Sequence, residues 1–185
     1  MISPEKLSAS RVQNMGGSCT TAAVLTVLGG LGARALPALP EATLALGAAG
    51  MLMAPGLLDY VSLPGRRAPL DERIEALSAR HGLRVSSRTA LVIPGLPQRP
   101  RAGEVLVTNL AWGQEAPGHY GTWGWHPLRP VTYTTGGHSV VLAGIEASGA
   151  WLVVDPNLPG VQRWPRPGVA VTVTRIRAAA GEAPG

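Results

Sequence analysis

Gln13-Asn14-Met15-Gly16-Gly17-Ser18-Cys19-Thr20-Thr21-Ala22-Ala23-Val24-Leu25-Thr26-Val27-Leu28 is the stretch on which the fold turns. A polar, glycine-bearing lead passes directly into a long apolar run. The spacing predicts a helix over Ser18 to Leu31, with Ala22, Ala23, Leu25, Val27 and Leu28 spread over more than one face. A helix that is apolar nearly all round sits at the centre of a domain. Ser18 or Thr20 can cap its start, and Gly29 and Gly30 either end it or let a neighbour approach closely.

Cys19, the single cysteine of the chain, falls at the mouth of that helix. One cysteine excludes an intramolecular disulfide, a multi-thiolate zinc site and an iron–sulfur cluster. A helix N-terminus offers unpaired N–H groups and the positive end of a dipole, and both favour a thiolate. Gly16 and Gly17 let a substrate carbonyl come close to the backbone, with Ser18 beside them. The Cys19 N–H can then be one oxyanion donor. The side-chain amide of Gln13, six residues earlier, can be the second, with Asn14 as its competitor. The plainer alternative is a small buried thiol.

Outward from this stretch, 185 residues and 19.1 kDa fit one domain. With 45% apolar and 15% charged residues the chain can bury a core. We expect a domain over 1–177 and a flexible tail over 178–185. Met1 to Met15 reads as an irregular lead-in without the apolar segment of a secretory signal. Ala42 to Leu58 has 17 uncharged residues, at the short end of a membrane span. Its glycines and Pro55 make a buried helix and turn the better reading, so no membrane role and a cytoplasmic location are expected.

Glu41 to Met53 is a second expected helix, and Pro64-Gly65 a turn. Leu70 to His81 is an amphipathic helix with acids in its first turn, Arg80 and His81 in its last, and Gly82 as its stop. Strands are expected over Val85 to Ile93, Glu104 to Leu110, His138 to Glu146, Trp151 to Asp155 and Val169 to Arg175. Helices first and strands afterwards give an α+β domain.

The net charge of +5 is concentrated between Arg66 and Arg101, where eight Arg face Asp71, Glu72 and Glu75. Such a stretch can hold an anionic partner or form a solvated face. No stacking aromatics interleave it, so nucleic acid is not the expected partner. Trp112 to Gly137 is a glycine-rich insert with five of the eight aromatics. It reads equally as a binding loop, with Trp123, Trp125 and Gly137 as candidate substrate contacts, or as a satellite core. His119 and His126 lie seven apart, not at the spacing of a helical zinc pair, and His81 reads as a helix-terminal charge. No metal or cofactor is expected.

His138 opens the apolar strand that starts His138-Ser139-Val140-Val141-Leu142. A thiol needs a general base, and imidazole titrates near neutrality. Asp155 ends Trp151-Leu152-Val153-Val154-Asp155-Pro156-Asn157. It can accept Nδ1–H from a neighbouring histidine if the two strands form a hairpin, with Asn157 as its competitor.

Gln13 through Cys19 resembles the segment around the nucleophile of papain-like cysteine peptidases, where a Gln also precedes the cysteine by six residues and Gly-Ser-Cys opens the central helix. The downstream pattern, His138 and then Asp155-Pro156 after a hairpin, is closer to stand-alone C39-like peptidase domains. The resemblance implies a papain-like fold, with N-terminal helices packed on a C-terminal antiparallel sheet. It implies Cys19 as nucleophile, His138 as base, Asp155 as orienting residue and Gln13 in the oxyanion hole. It also implies a cysteine peptidase or amidase working through an acyl-enzyme on peptidic or thioester substrates. Acyl transfer is the alternative chemistry. Ser18 and Thr20 stand where this branch commonly has Asp and Gly, which leaves open a peptide-binding module with an idle thiol.

Overall fold

A computed structural model describes residues 2–15, 18–47, 62–92, 99–110, 138–165 and 170–179. Among these are four helices, α1 (Pro4–Ala9), α2 (Cys19–Leu31), α3 (Leu39–Leu46) and α4 (Pro69–Arg80). Six strands follow: β1 (Val85–Leu91), β2 (Glu104–Leu110), β3 (His138–Ile145), β4 (Trp151–Val154), β5 (Val161–Trp164) and β6 (Ala170–Ala178). They form one antiparallel sheet in the order β1-β6-β2-β3-β4-β5. The chain is therefore α+β, with the last strand inserted between the first two.

The apolar run explains why α2 is central. It buries every residue from Thr20 to Leu28, then Gly30 and Leu31. It shares one core cluster with Leu7 of α1, Leu39 and Leu46 of α3, Ile74 and Leu77 of α4, and Val105, Val107, Val141 and Ile176 of the sheet, and packs directly on α1, α3, β2 and β3. Each such side chain removed from water contributes about 1.5–3 kcal/mol. On the sheet's other face Leu106, Leu110, Val140, Leu142, Trp151, Val153, Trp164 and Val173 form a second cluster. Alternation along β2 and β3 feeds both clusters, as period two requires.

The double glycine of α2 does not end it. A Cβ on Gly30 would stand 2.7 Å from Leu7 Cδ2, so Gly30 is where α1 docks. The helix stops at Gly32, in the left-handed region with φ 106°. The lead-in is correspondingly not irregular throughout. Ser3 Oγ accepts from Lys6 N at 3.2 Å, Pro4 takes the first turn, and α1 forms with Leu7 fully buried.

Other boundaries moved. The second helix starts at Leu39 and reaches a left-handed Gly47, while 48–61 lie outside the described residues. The strand expected to end at Arg175 runs to Ala178, which pairs with Val85, and Ala179 N–H donates to Arg84 O at 2.9 Å. The tail therefore does not begin at 178. Strand β5 was not anticipated. It pairs with β4 and sets Trp164 opposite Trp151. Among the described residues no helix is long and apolar enough to cross a membrane.

Candidate active site

Strands β3 and β4 form the expected hairpin, with Val141 paired to Val154, so the start of β3 and the end of β4 lie at the same end of the sheet's strands. There His138 Nε2 and Asp155 Oδ1 are 3.0 Å apart, both residues buried. The nitrogen is Nε2, not the Nδ1 expected from sequence. With the Nε2–H directed at the carboxylate, Nδ1 is the ring atom on the far side from Asp155. Asp155 Oδ1 also accepts from Asn157 N–H at 2.7 Å, while Oδ2 is buried with no hydrogen bond among the described residues. Asn157 is thus not a rival to Asp155 but one of its donors.

Burial dominates the electrostatics of this pair. It pushes the His138 imidazole down to about 4. It pushes the Asp155 carboxyl up to about 6, against the Asn157 N–H and the nearby Arg11 charge, which act to lower it. Near pH 7 the pair is a carboxylate accepting from a neutral imidazole, the state in which Nδ1 carries a lone pair.

Cys19 opens α2 as expected and is half-buried with a free thiol. Among the described residues its Sγ makes no hydrogen bond. Ser18 occupies the N-cap position without a side-chain capping bond, and Thr20 does not cap either. Instead Thr20 Oγ1 lies 2.7 Å from Ser139 Oγ. The residue after the cysteine is thereby joined to the residue after the histidine.

A second tie runs from the segment before Cys19 to the turn after Asp155. Asn14 N–H donates to Pro156 O at 3.0 Å, and Asn14 Nδ2 to Asn157 Oδ1 at 3.0 Å. Arg11 Nη1 donates to the same Pro156 carbonyl at 2.9 Å. Gln13 is exposed, so its amide faces solvent while Asn14 does the anchoring. Sequence reasoning missed Arg11, and it weighed Asn14 only as a competitor for the oxyanion hole. No local signal marks either as an anchor, because their partners are more than 140 residues away.

Gly17, Trp123, Trp125 and Gly137, together with Gly16, His119 and His126, lie outside the described residues. Among the described residues no group of three or more His, Cys, Asp or Glu could hold a metal. The arginines of the Arg66 to Arg101 stretch are exposed, and two of them are engaged within the fold. Arg67 pairs with Glu75, and Arg73 Nη1 donates to Leu46 O at 3.2 Å. A groove of about 450 Å³ bordered by Ser62, Arg66, Arg67 and Arg88 lies along β1, across the sheet from the His138–Asp155 pair.

No family model matches this chain, and no curated protein matches it. Among solved structures, it is similar to a Bacillus anthracis protein named as a C39-like peptidase, whose own activity is not established. The identity is 16%, over 91% of this chain and 95% of that one, with a TM-score of 0.47.

Proposed function

We propose that this chain is a thiol-dependent acyl hydrolase of papain-like architecture, acting on peptidic amides or thioesters. The observation that carries the reading is the Thr20–Ser139 hydrogen bond, which ties the helix opening at Cys19 to the strand opening at His138, itself paired with Asp155. A thiol, a neutral imidazole and a carboxylate thus come from three segments joined by hydrogen bonds at one end of strands β3 and β4.

The chemistry follows from the protonation states. His138 Nδ1 takes the proton of the Cys19 thiol as sulfur attacks the substrate carbonyl carbon. The C=O π pair moves to oxygen, where the Cys19 N–H and the exposed Gln13 amide are the candidate donors. Collapse breaks the bond to the leaving amine or thiol, which collects the proton from Nδ1. Water, deprotonated by the same nitrogen, then cleaves the acyl–sulfur bond and regenerates the thiol. During each proton transfer the imidazole is briefly charged, and the Asp155 carboxylate stabilises it.

Alkylation of Cys19 by iodoacetamide, read by mass spectrometry, tests the pairing. Stoichiometric labelling at neutral pH is expected, slowed about tenfold or more in His138→Ala, since positioned base catalysis is worth about 10²–10⁴-fold. An unchanged rate in that variant would sink it. Hydrolysis of fluorogenic peptidyl amides and thioesters then separates the substrate classes.

A further inference from the structure

The face of the sheet that meets α2 changes character along its length. Toward the far end it is apolar, with Val105, Ala143 and Ile176 in the main core. At the end that carries the candidate site it turns polar. Ser139, Asn109 and Thr172 lie side by side on β3, β2 and β6, as the pairings Asn109 to Ser139 and Asn109 to Thr172 require. All three are buried, and so is Thr20 above them on α2.

Their hydrogen bonds form one directed chain. Asn109 Nδ2 donates to Thr172 Oγ1 at 2.7 Å, so Asn109 Oδ1 is the acceptor side of that amide. Ser139 Oγ donates its single proton to Asn109 Oδ1 at 2.5 Å. Thr20 Oγ1, 2.7 Å from Ser139 Oγ, must therefore be the donor to it. Four buried polar side chains are costly unless each is satisfied, and apolar residues of similar size would pack there without that demand. What the chain supplies and packing would not is direction. It fixes the first turn of α2 against β3 along and across the strand, which an apolar contact leaves free to slide.

Resting on the proposed function, we propose that Thr20 and Ser139, anchored by Asn109 and Thr172, are positioning residues that set Cys19 against His138. Each end of the clamp is one residue from a reacting side chain. A slip of the helix by about 1 Å would misplace the thiol and can cost on the order of 10²-fold in rate.

The test is a double-mutant cycle on the rate of Cys19 alkylation by iodoacetamide, with thermal midpoints measured in parallel. In the otherwise unaltered protein, His138→Gln is expected to slow alkylation about tenfold. In Thr20→Val and in Ser139→Ala backgrounds, His138→Gln should change the rate less than about twofold, because the coupling is already lost. Thr20→Ser keeps the hydroxyl and should restore the full His138 effect. A purely structural clamp would lower the thermal midpoint and leave the His138 dependence intact. Retention of that dependence in Thr20→Val and Ser139→Ala would overturn the positioning role while the Cys19–His138 pairing stands. Absence of any His138 effect in the otherwise unaltered protein would remove the pairing itself, and the clamp's role with it.

Discussion

Among the described residues two aspartates are fully buried, and they are treated in opposite ways. Asp71, in the first turn of α4, accepts four hydrogen bonds at 2.8 Å. Ser87 and Thr89 hydroxyls reach Oδ1, while the Ser62 hydroxyl and Thr89 N–H reach Oδ2. Asp155 has two donors, His138 Nε2 and Asn157 N–H, crowded on Oδ1, and its Oδ2 has no hydrogen bond among the described residues. A saturated carboxylate is a fastener, here between α4 and the edge strand β1. An under-supplied one binds a proton more readily than usual and responds to the charge of its partner. Burial alone therefore does not set how readily a carboxyl group binds a proton; the number and placement of its donors matter as well.

Replacing each aspartate should separate these roles. Asp71→Ala leaves three hydroxyls and one N–H buried around a void. It is expected to cost about 3–5 kcal/mol of stability, read as a lower urea midpoint with no special effect on Cys19 chemistry. Asp155→Ala strands only two donors and should cost about 1–2 kcal/mol. Its larger effect falls on the rate of acyl transfer, with a loss of about 100-fold or more in turnover of a peptidyl thioester, because the imidazole loses both its orientation and its counter-charge. Equal stability losses, or equal activity losses, would erase the distinction.

The two aspartates also show where sequence reading works. The pairing of Asp155 with His138 was legible because its context is local: an apolar strand ends at Asp155 and a short hairpin faces it with His138. Strand β2 was legible to the residue, and α2 nearly so, for the same reason of strong short-range pattern. Asp71 was not legible as a fastener, since an acid in the first turn of an amphipathic helix ordinarily faces solvent. Its donors on β1 lie 16 and 18 residues away. Thr20, Ser139 and Asn109 were hidden likewise, because their meeting depends on the β3-β2-β6 order, and no local pattern encodes strand order. Helix α1 and strand β5 are too short for periodicity. They exist because Leu7 docks on Gly30 and Trp164 faces Trp151.

Acid sharpens the contrast further. An ordinary His titrates near 6.5, and folding moves His138 down to about 4. An ordinary Asp titrates near 3.8, and folding moves Asp155 up to about 6. Between roughly pH 4 and 6 the unfolded chain carries its extra proton on the histidine and the folded chain on the aspartate. The proton counts match, so the pair adds little slope to stability against pH. Each partner alone should unmask a slope. In Asp155→Asn the stability supplied by neutral His138 is present above pH 6.5 and falls as pH drops toward 4. In His138→Gln the stability supplied by protonated Asp155 is present below pH 3.8 and falls as pH rises toward 6. Slopes of opposite sign, each up to about 1.4 kcal/mol per pH unit, are expected from urea titrations at pH 4.5, 5.5 and 7. Parallel slopes in the two variants would contradict the neutral-pair assignment.

The smallest effect concerns Arg11, a cation that tempers Asp155. Arg11 holds the Pro156 carbonyl, and its charge acts to lower the Asp155 pKa. Arg11→Gln keeps a side-chain amide within reach of that carbonyl but removes the charge. An opposite charge withdrawn from a buried carboxylate raises its affinity for a proton. Since the proposed reaction needs Asp155 ionised, the acidic limb of the thioesterase pH profile should move upward, with less than a tenfold loss of rate at pH 6 and almost none at pH 8. Asp71 has four neutral donors and no such cation among its hydrogen-bond partners, so the same substitution should leave the urea midpoint at pH 8 nearly unchanged. A loss of activity equal at pH 6 and pH 8 would instead make Arg11 a tether for the segment before Cys19, acting through the Pro156 carbonyl and not through charge.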